Sequence, residues 1–461
     1  MVKIRFCSVP FYDVLEHNLR LEASAFDMQA YYAYQCINCG KYSAIILGGE
    51  LSPVSRIYYG SRLKRDYVGS ALPNAVGFIG SSEMLDCYPR PVKFMKNSDN
   101  LKDLHVQYGD ILMSRSGTVG NLTFVGKTLA KLLVSEHAIR IKCREYSGYV
   151  YAYLKSKIGQ SLIASHIYGA VIQEIEPEHI ASIPIPNPPE QLKQKIHNLI
   201  VKSYELRDES NNDINKATNL LIEELKLPPL EEIITNRRSF NVNFKDLEFR
   251  LDASYHIHIV NTIVEHMKKY AAEVTTIKDS RVSKDIILAG VFKRTYVEED
   301  YGYPFLGGKE ITQLSPKIEK FLSRAIHKSR YEKELKVEEN MILVSDRGTI
   351  GITAFVPRHW DGWAVSQNVL KIVPVNNDIA GYLYIYLNSD IGHILVRRQT
   401  YGSVVDMIDN HSLEDVEIPL LKNAAIQKRI NELALEANEK RYEAYKLEQE
   451  ALKIIDEEII K

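Results

Sequence analysis

No stretch of this sequence is apolar enough, for long enough, to cross a bilayer as a helix, which takes about 20 residues. The opening MVKIRFCSVPFYDV lacks the long apolar core and small-residue cleavage site of a secretory signal. Cysteine is scarce: five in 461 residues, all in the first third, at Cys7, Cys36, Cys39, Cys87 and Cys143. That usage points to a reducing, cytoplasmic setting. Net charge is nearly absent too, at −1. A nucleic-acid binder with that balance must gather its cations into patches.

Catalytic signatures are missing as well. There is no GxxxxGK[ST] phosphate loop and no HExxH, and the histidines are scattered. Asn187-Pro188-Pro189-Glu190 has the first three residues of the amine-holding motif of amino-methyltransferases. It lacks the aromatic fourth residue, and no glycine-rich turn precedes it. It reads as a proline start to a helix, with Glu190 favourably placed in the first turn. Cys36 and Cys39 form a lone CxxC, two ligands short of a structural zinc site. They read as packed or partly exposed thiols, so no metal is expected. A chain with 45% hydrophobic residues has material for two or three real cores. With no catalytic constellation, it reads as a binding protein or scaffold.

What is present is a duplication. RLEAS at 20–24 returns as RLDAS at 250–254, and DILMSRSGTVG at 110–120 as MILVSDRGTIG at 341–351. SEHAIRIKC at 135–143 returns as SQNVLKIVP at 366–374. GYVYAYLKSKIG at 148–159 returns as GYLYIYLNSDIG at 381–392, and YGAVIQEI at 168–175 as YGSVVDMI at 401–408. The matches keep their order and nearly constant spacing, the mark of a tandem repeat. Between these landmarks, 41–105 and 271–335 have little in common.

Each repeat reads as an α+β domain. Alternating apolar residues around a glycine turn predict a hairpin at ILMSRSGTVGNLTFVG and again at ILVSDRGTIGITAFVP. YVYAYLKSKIGQSLIASH predicts a helix that ends near Gly169. ASIPIPNPP at 181–189 predicts an extended, proline-punctuated end to the first domain.

A polar, glycine-free stretch follows each domain. In the second, Ile430, Leu433, Ala437, Lys440, Ala444, Leu447, Ala451 and Ile454 step as heptad a and d positions. Ile196, Leu199, Ser203, Leu206, Ser210, Asp213, Ala217 and Leu220 repeat that seam in the first. Small a residues let helix backbones approach closely. The two helices therefore predict an antiparallel pair, with Asp213 and Lys440 as a mid-seam ion pair; the alternative is that each packs only on its own domain. Leu221, Ile222, Ile455 and Ile459 fall outside the seam and suggest a partner surface.

Candidate DNA contacts come from cations set among aromatics and hydroxyls. Arg56, Arg62, Lys64 and Arg65 are interleaved with Tyr58, Tyr59 and Tyr67; Lys293 and Arg294 precede Tyr296. These lie where the two halves differ, as sequence readers should, though each reads equally as a solvated surface residue. The loops add Arg115, Ser116 and Thr118, then Arg347 and Thr349. Their shared core implies shared work, either a structural turn or backbone-phosphate contact. Arg397 and Arg398 are phosphate candidates of the second half only.

GDILMSRSGTVG (109–120), IPIPNPPEQ (183–191), FRLDASYH (249–256) and LVSDRGTIG (343–351), with a long helix after each variable domain, resemble a specificity subunit of a Type I restriction–modification system. The resemblance covers essentially the whole chain; the second junction, IPLLKNAAIQ (418–427), departs from the proline-rich first. It implies two target-recognition domains, at 1–188 and, with a linker, at 229–421, each reading one half of an asymmetric bipartite duplex site. It implies spacer helices at 189–228 and 422–461 that set the half-site separation and dock two DNA methyltransferase subunits. Those partners would carry S-adenosylmethionine, and a motor–nuclease subunit can join them; this chain would bind no cofactor and catalyse nothing. The same architecture fits a Type IIB-like or phage-defence methylation complex without a motor. A reading of another class is a tandem-domain protein scaffold that binds no nucleic acid.

Overall fold

The computed structural model describes residues 9–16, 27–169, 171–230, 240–244, 247, 250–402 and 405–460. Cys7, the repeat element at 20–24 and the linker stretch 231–239 lie outside the described residues. The chain divides into two compact units, Met1–Asp208 with Glu443–Lys461, and Glu209–Tyr442. The division falls inside both long helices, Glu190–Glu224 and Ala424–Ile454, so each unit holds one sheet domain and a length of each helix.

In unit 1 the strands are β1 (Ala44–Ile46), β2 (Val54–Tyr59), β3 (Tyr67–Val68), β4 (Ala75–Ile79), β5 (Lys93–Lys96), β6 (Ile111–Ser114), β7 (Leu122–Phe124), β8 (Leu133–Val134), β9 (Ala138–Cys143) and β10 (Pro184–Pro186). They form a main antiparallel sheet β2-β9-β6-β7, a small sheet β3-β5-β4-β8 whose last pair is parallel, and a β1-β10 ribbon. The main sheet is covered on both faces, so its central strand β6 is apolar over Ile111–Met113. Ile111 and Met113 join the helix-side core, while Leu112 between them joins the core on the other face.

Unit 2 repeats this with β11 (Ala271–Thr276), β12 (Ser283–Ile287), β13 (Tyr296–Val297), β14 (Gly302–Leu306), β15 (Phe321–Ser323), β16 (Ile342–Ser345), β17 (Thr353–Phe355), β18 (Ala364–Val365), β19 (Val369–Pro374) and β20 (Glu417–Leu421). The orders are β12-β19-β16-β17, β13-β15-β14-β18 and β11-β20. The topology is the same strand for strand, including across 41–105 and 271–335, where the sequences diverge most.

The helix expected after each hairpin is two helices. Ser147–Lys155 and Lys157–Ser165 meet at Ser156, whose hydroxyl accepts from Gly159 N at 3.2 Å. Ser389 does the same for Gly392 at 3.2 Å in unit 2. Serine competes for backbone hydrogen bonds and starts a new helix where the pattern alone looked continuous.

The long helices run antiparallel within each unit. In unit 1, Lys195 faces Glu458 and Ser203 donates to Ala444 O, so the first partner rises while the second falls. In unit 2, Ser210 meets Arg441 and Asp213 meets Lys440. The a positions are buried on both helices. The d positions are only partly so: Leu433, Ile454 and Asp213 are buried, but Leu199, Leu206, Leu220, Leu447 and Lys440 are half-exposed. The better-buried neighbours are e positions, among them Ile200, Ile214, Leu221, Ala434, Glu448 and Ile455. Each helix packs on a sheet domain as well as on its partner, and that second contact rotates the buried stripe from a/d towards a/e. For the same reason Leu221, Ile455 and Ile459 are not a free partner surface; they are fully buried within their own units, and only Ile222 is exposed.

Candidate nucleic-acid interface

The two glycine-rich loops have one construction. Ser114 Oγ donates to Thr118 O and accepts from Asn121 N at 3.0 Å. Ser345 Oγ donates to Thr349 O at 2.6 Å and accepts from Ile352 N at 2.9 Å. Gly117 and Gly348 have φ of +82° and +78°, which a side chain resists. Each loop is then stitched to the hairpin at Tyr168 or Tyr401. Ile175 N donates to Arg115 O at 3.1 Å, and Ile408 N to Asp346 O at 3.0 Å. Tyr168 OH donates to Glu176 at 2.8 Å, and Tyr401 OH to Asp409 at 3.1 Å. The serine hydroxyls and the stitching carbonyls are thus engaged inside the turn.

This changes the standing of one loop candidate. Arg115 is buried, its guanidinium 2.6 Å from Glu176 and 3.7 Å from Glu174, and stacked 4.7 Å over Tyr59. It holds the loop to the hairpin and is not placed to meet phosphate. Arg398 is corrected likewise: it is buried, 2.7 Å from Glu417 and 4.2 Å from the Tyr255 ring. Both sites satisfy a cation inside the fold, where a desolvated charge must be paired. The loop tips remain open. Thr118, Arg347 and Thr349 are exposed, Arg347 partly neutralised by Asp346 at 2.9 Å, and Ser116 Oγ sits 3.2 Å from His137. Arg397 is exposed on its helix.

The other candidates gather on the sheets. Arg56 lies on β2, exposed, 4.0 Å over the Tyr58 ring. Arg62 and Lys64 are exposed between β2 and β3, Lys64 being 3.5 Å from Asp66. Arg65 forms a two-pronged pair with Glu136 at 2.8 and 2.9 Å and rests 5.1 Å over Phe78. In unit 2, Lys293 is exposed and Arg294 rests 5.4 Å over Phe305.

Here the sequence reading missed a shared feature. Tyr67 meets Phe78 at 6.1 Å and 56°, and Tyr296 meets Phe305 at 5.9 Å and 59°. Lys93 Nζ lies 5.3 Å from the Tyr67 ring, and Lys320 Nζ lies 6.0 Å from that of Tyr296. Lys93 is opposite Phe78 in the ladder, and Lys320 O accepts from Phe305 N at 3.0 Å, so the register agrees as well. The signal was the Arg-x-Tyr triplet at 65–67 and 294–296, too short to stand out from diverged surroundings.

Among the described residues, no group of three or more His, Cys, Asp or Glu could hold a metal ion. None of their helices is long and apolar enough to cross a membrane.

Residues 285–437 match the family model of the Type I restriction modification DNA specificity domain. No curated protein matches the sequence. Solved structures with similar chains include the Type I restriction–modification S subunit from M. genitalium, at 13% identity over 90% of this chain and 94% of that one, TM-score 0.34. The HsdS subunit from Thermoanaerobacter tengcongensis is 14% identical over 90% and 95%, TM-score 0.28. A chain from a study of assembly and conformational transition of the type I R-M system is 15% identical over 90% and 97%, TM-score 0.28. These likenesses are loose; the family match covers most of the second unit's sheet domain and the start of the helix after it. The second unit carries the matched domain, and the first repeats its sheets strand for strand.

Proposed function

We propose that the chain is a non-catalytic reader of a bipartite, asymmetric DNA site, one half per unit, that directs methyltransferase partners to it. The observation that carries this reading is the pairing of one scaffold with two surfaces. Sheet order, loop construction and helix seam are repeated. The residues along the repeated strands are not: exposed Arg56 and half-buried Tyr58 on β2 have Asp285 and Ile287 at the matching register places on β12. A shared scaffold with unlike surfaces would set like groups on the backbone and unlike groups on the bases. Partner docking, by two methyltransferase subunits bearing S-adenosylmethionine and by a motor–nuclease where the system has one, is part of the same proposal and draws its support from the family.

Methylome sequencing of cells with and without this chain tests the reading. A two-part motif should be lost with the chain. Exchanging residues 1–188 for the first domain of another specificity subunit should change one half of the motif and leave the other. A change in both halves would overturn the assignment of one unit to each half-site.

A further inference from the structure

Resting on that reading, we infer that the lysine–tyrosine–phenylalanine–arginine stack on the small sheet of each unit, Lys93–Tyr67–Phe78–Arg65 and Lys320–Tyr296–Phe305–Arg294, is a sequence-independent grip on the DNA backbone. Its role is register, and it carries no base preference.

Four observations lead there. The stack recurs on both small sheets, although the surrounding sequences have diverged. Tyr67 and Tyr296 are 44% and 40% exposed, and both lysines are exposed, so each stack is rooted in a core by its buried phenylalanine and presents its tyrosine and lysine to solvent. Among the described residues, no carboxylate lies within ion-pair distance of Lys93, Lys320 or Arg294, in a chain whose net charge is close to zero. And the rings hold the long cationic side chains in place: a cation over an aromatic face is attracted by the ring quadrupole, which reduces the rotamer freedom lost when it meets a phosphate. Two half-site readers of unlike sequence have in common only the phosphate backbone of the duplex. A shared cation belongs there, which separates Arg65 and Arg294 from neighbours such as Arg56, which the second unit lacks. The cations differ in their pairing: Arg65 is paired with Glu136, whereas the residue at the matching place of the second repeat is Gln367.

The test is equilibrium binding of the full chain to a mixed-sequence duplex across a salt series, for the wild type and for Lys93→Gln with Lys320→Gln. The double variant should reduce the slope of log affinity against log salt by about 2, because each neutralised phosphate contributes about 0.9. Its affinity near 0.1 M salt should fall by at least about tenfold. The methylated motif should not change. An unchanged slope overturns the inference, and so does an altered motif, which would make the lysines base readers. Tyr67→Leu with Tyr296→Leu should weaken binding in the same way without lowering the unfolding temperature. If those variants unfold while the lysine variants bind normally, the stack is packing alone and the inference fails. A wild type that shows no salt-dependent duplex binding overturns the proposed function itself, so the two failures are distinguishable.

Discussion

At the seam position where unit 1 buries Glu448, unit 2 buries Ile214. Around Glu448 the fold assembles a closed polar network. Tyr151 OH donates at 2.6 Å and Arg207 at 2.9 Å, Lys155 Nζ lies 3.5 Å away, and Tyr204 OH donates to Tyr151 at 3.0 Å. Ile214 can accept no such bond, and Tyr384, the counterpart of Tyr151, stacks flat on Phe355 at 4.9 Å. Unit 2 places its charges one position away, with Lys440 Nζ 2.6 Å from Asp213. The two units also treat one strand position differently. Arg140 in β9 donates to the carbonyls of Ser135, Ala138 and Val134, whereas Lys371 in β19 is buried with its ammonium pushed down to about 8 by desolvation. A duplicated scaffold therefore fixes where a helix or strand is clasped and leaves open which chemistry does the clasping.

The largest way to break this comparison is Glu448→Ala. It strands Arg207 and the Tyr151 hydroxyl in a buried site and should destabilise unit 1 by about 3–5 kcal/mol. Hydrogen exchange should show the loss in unit 1 amides and leave those of unit 2 near wild type. Ile214→Ala, removing apolar contact alone, should cost about 2–4 kcal/mol and act on unit 2.

Lys371→Met comes next, and it should stabilise. Folded Lys371 releases its proton near 8, well below its unfolded value, so between those values the unfolded chain binds more protons and stability rises with pH. The burial cost is present in full below about 8 and fades as pH approaches 10.5. Denaturant unfolding should show the variant ahead by up to about 3 kcal/mol at pH 7, with the gap closing in alkali. Arg140→Met in unit 1 should go the other way, because three buried hydrogen bonds to the carbonyls of Val134, Ser135 and Ala138 are lost.

Asp213→Lys should cost unit 2 about 1–3 kcal/mol by setting two ammonium groups together, and adding Lys440→Asp should restore most of it. Absence of rescue would mean that the pair adds no register to the helix seam.

The smallest effect sharpens the comparison at the helix that opens each repeat of GYxYxYL. Gly148 N donates to His197 Nδ1 at 3.0 Å, while Gly381 N donates to Asn431 Oδ1 at 2.8 Å. Burial holds His197 below the usual imidazole range. Its contribution is complete above the unfolded value and is lost as pH falls through the folded one. His197→Asn should change stability at pH 7 by less than about 1 kcal/mol and abolish this acid-side loss in unit 1. A pH profile unchanged by the substitution would assign that loss to other groups.

Much of this was legible in the residues, unevenly. The hairpins, the duplication and the a positions of the seam follow from patterns local to a segment or to its copy. The shift of the buried stripe towards Ile200, Ile214 and Glu448 was not legible, because it depends on a third surface that heptad spacing does not represent. Arg115 and Arg398 looked like phosphate contacts for a related reason. Nothing near them in sequence announces Glu176 or Glu417, which reach them only through the fold. The break at Ser156 was hidden because a serine in a helical pattern reads as an ordinary polar residue until its hydroxyl is seen to cap Gly159.

By itself, then, the sequence determined that there are two copies of one α+β unit, where their turns lie, and which small residues let two long helices meet. These are consequences of period, glycine placement and repetition, and such short-range rules hold whatever surrounds them. Only the tertiary structure decided which charges are used up inside and which stay outside. Whether a cation is free depends on which carboxylate folding brings to it, and desolvation penalises a buried charge that finds no partner. That sorting removed Arg115 and Arg398 from the candidate surface, and it left Lys93 and Lys320 on rings where no alignment of the two halves had placed them.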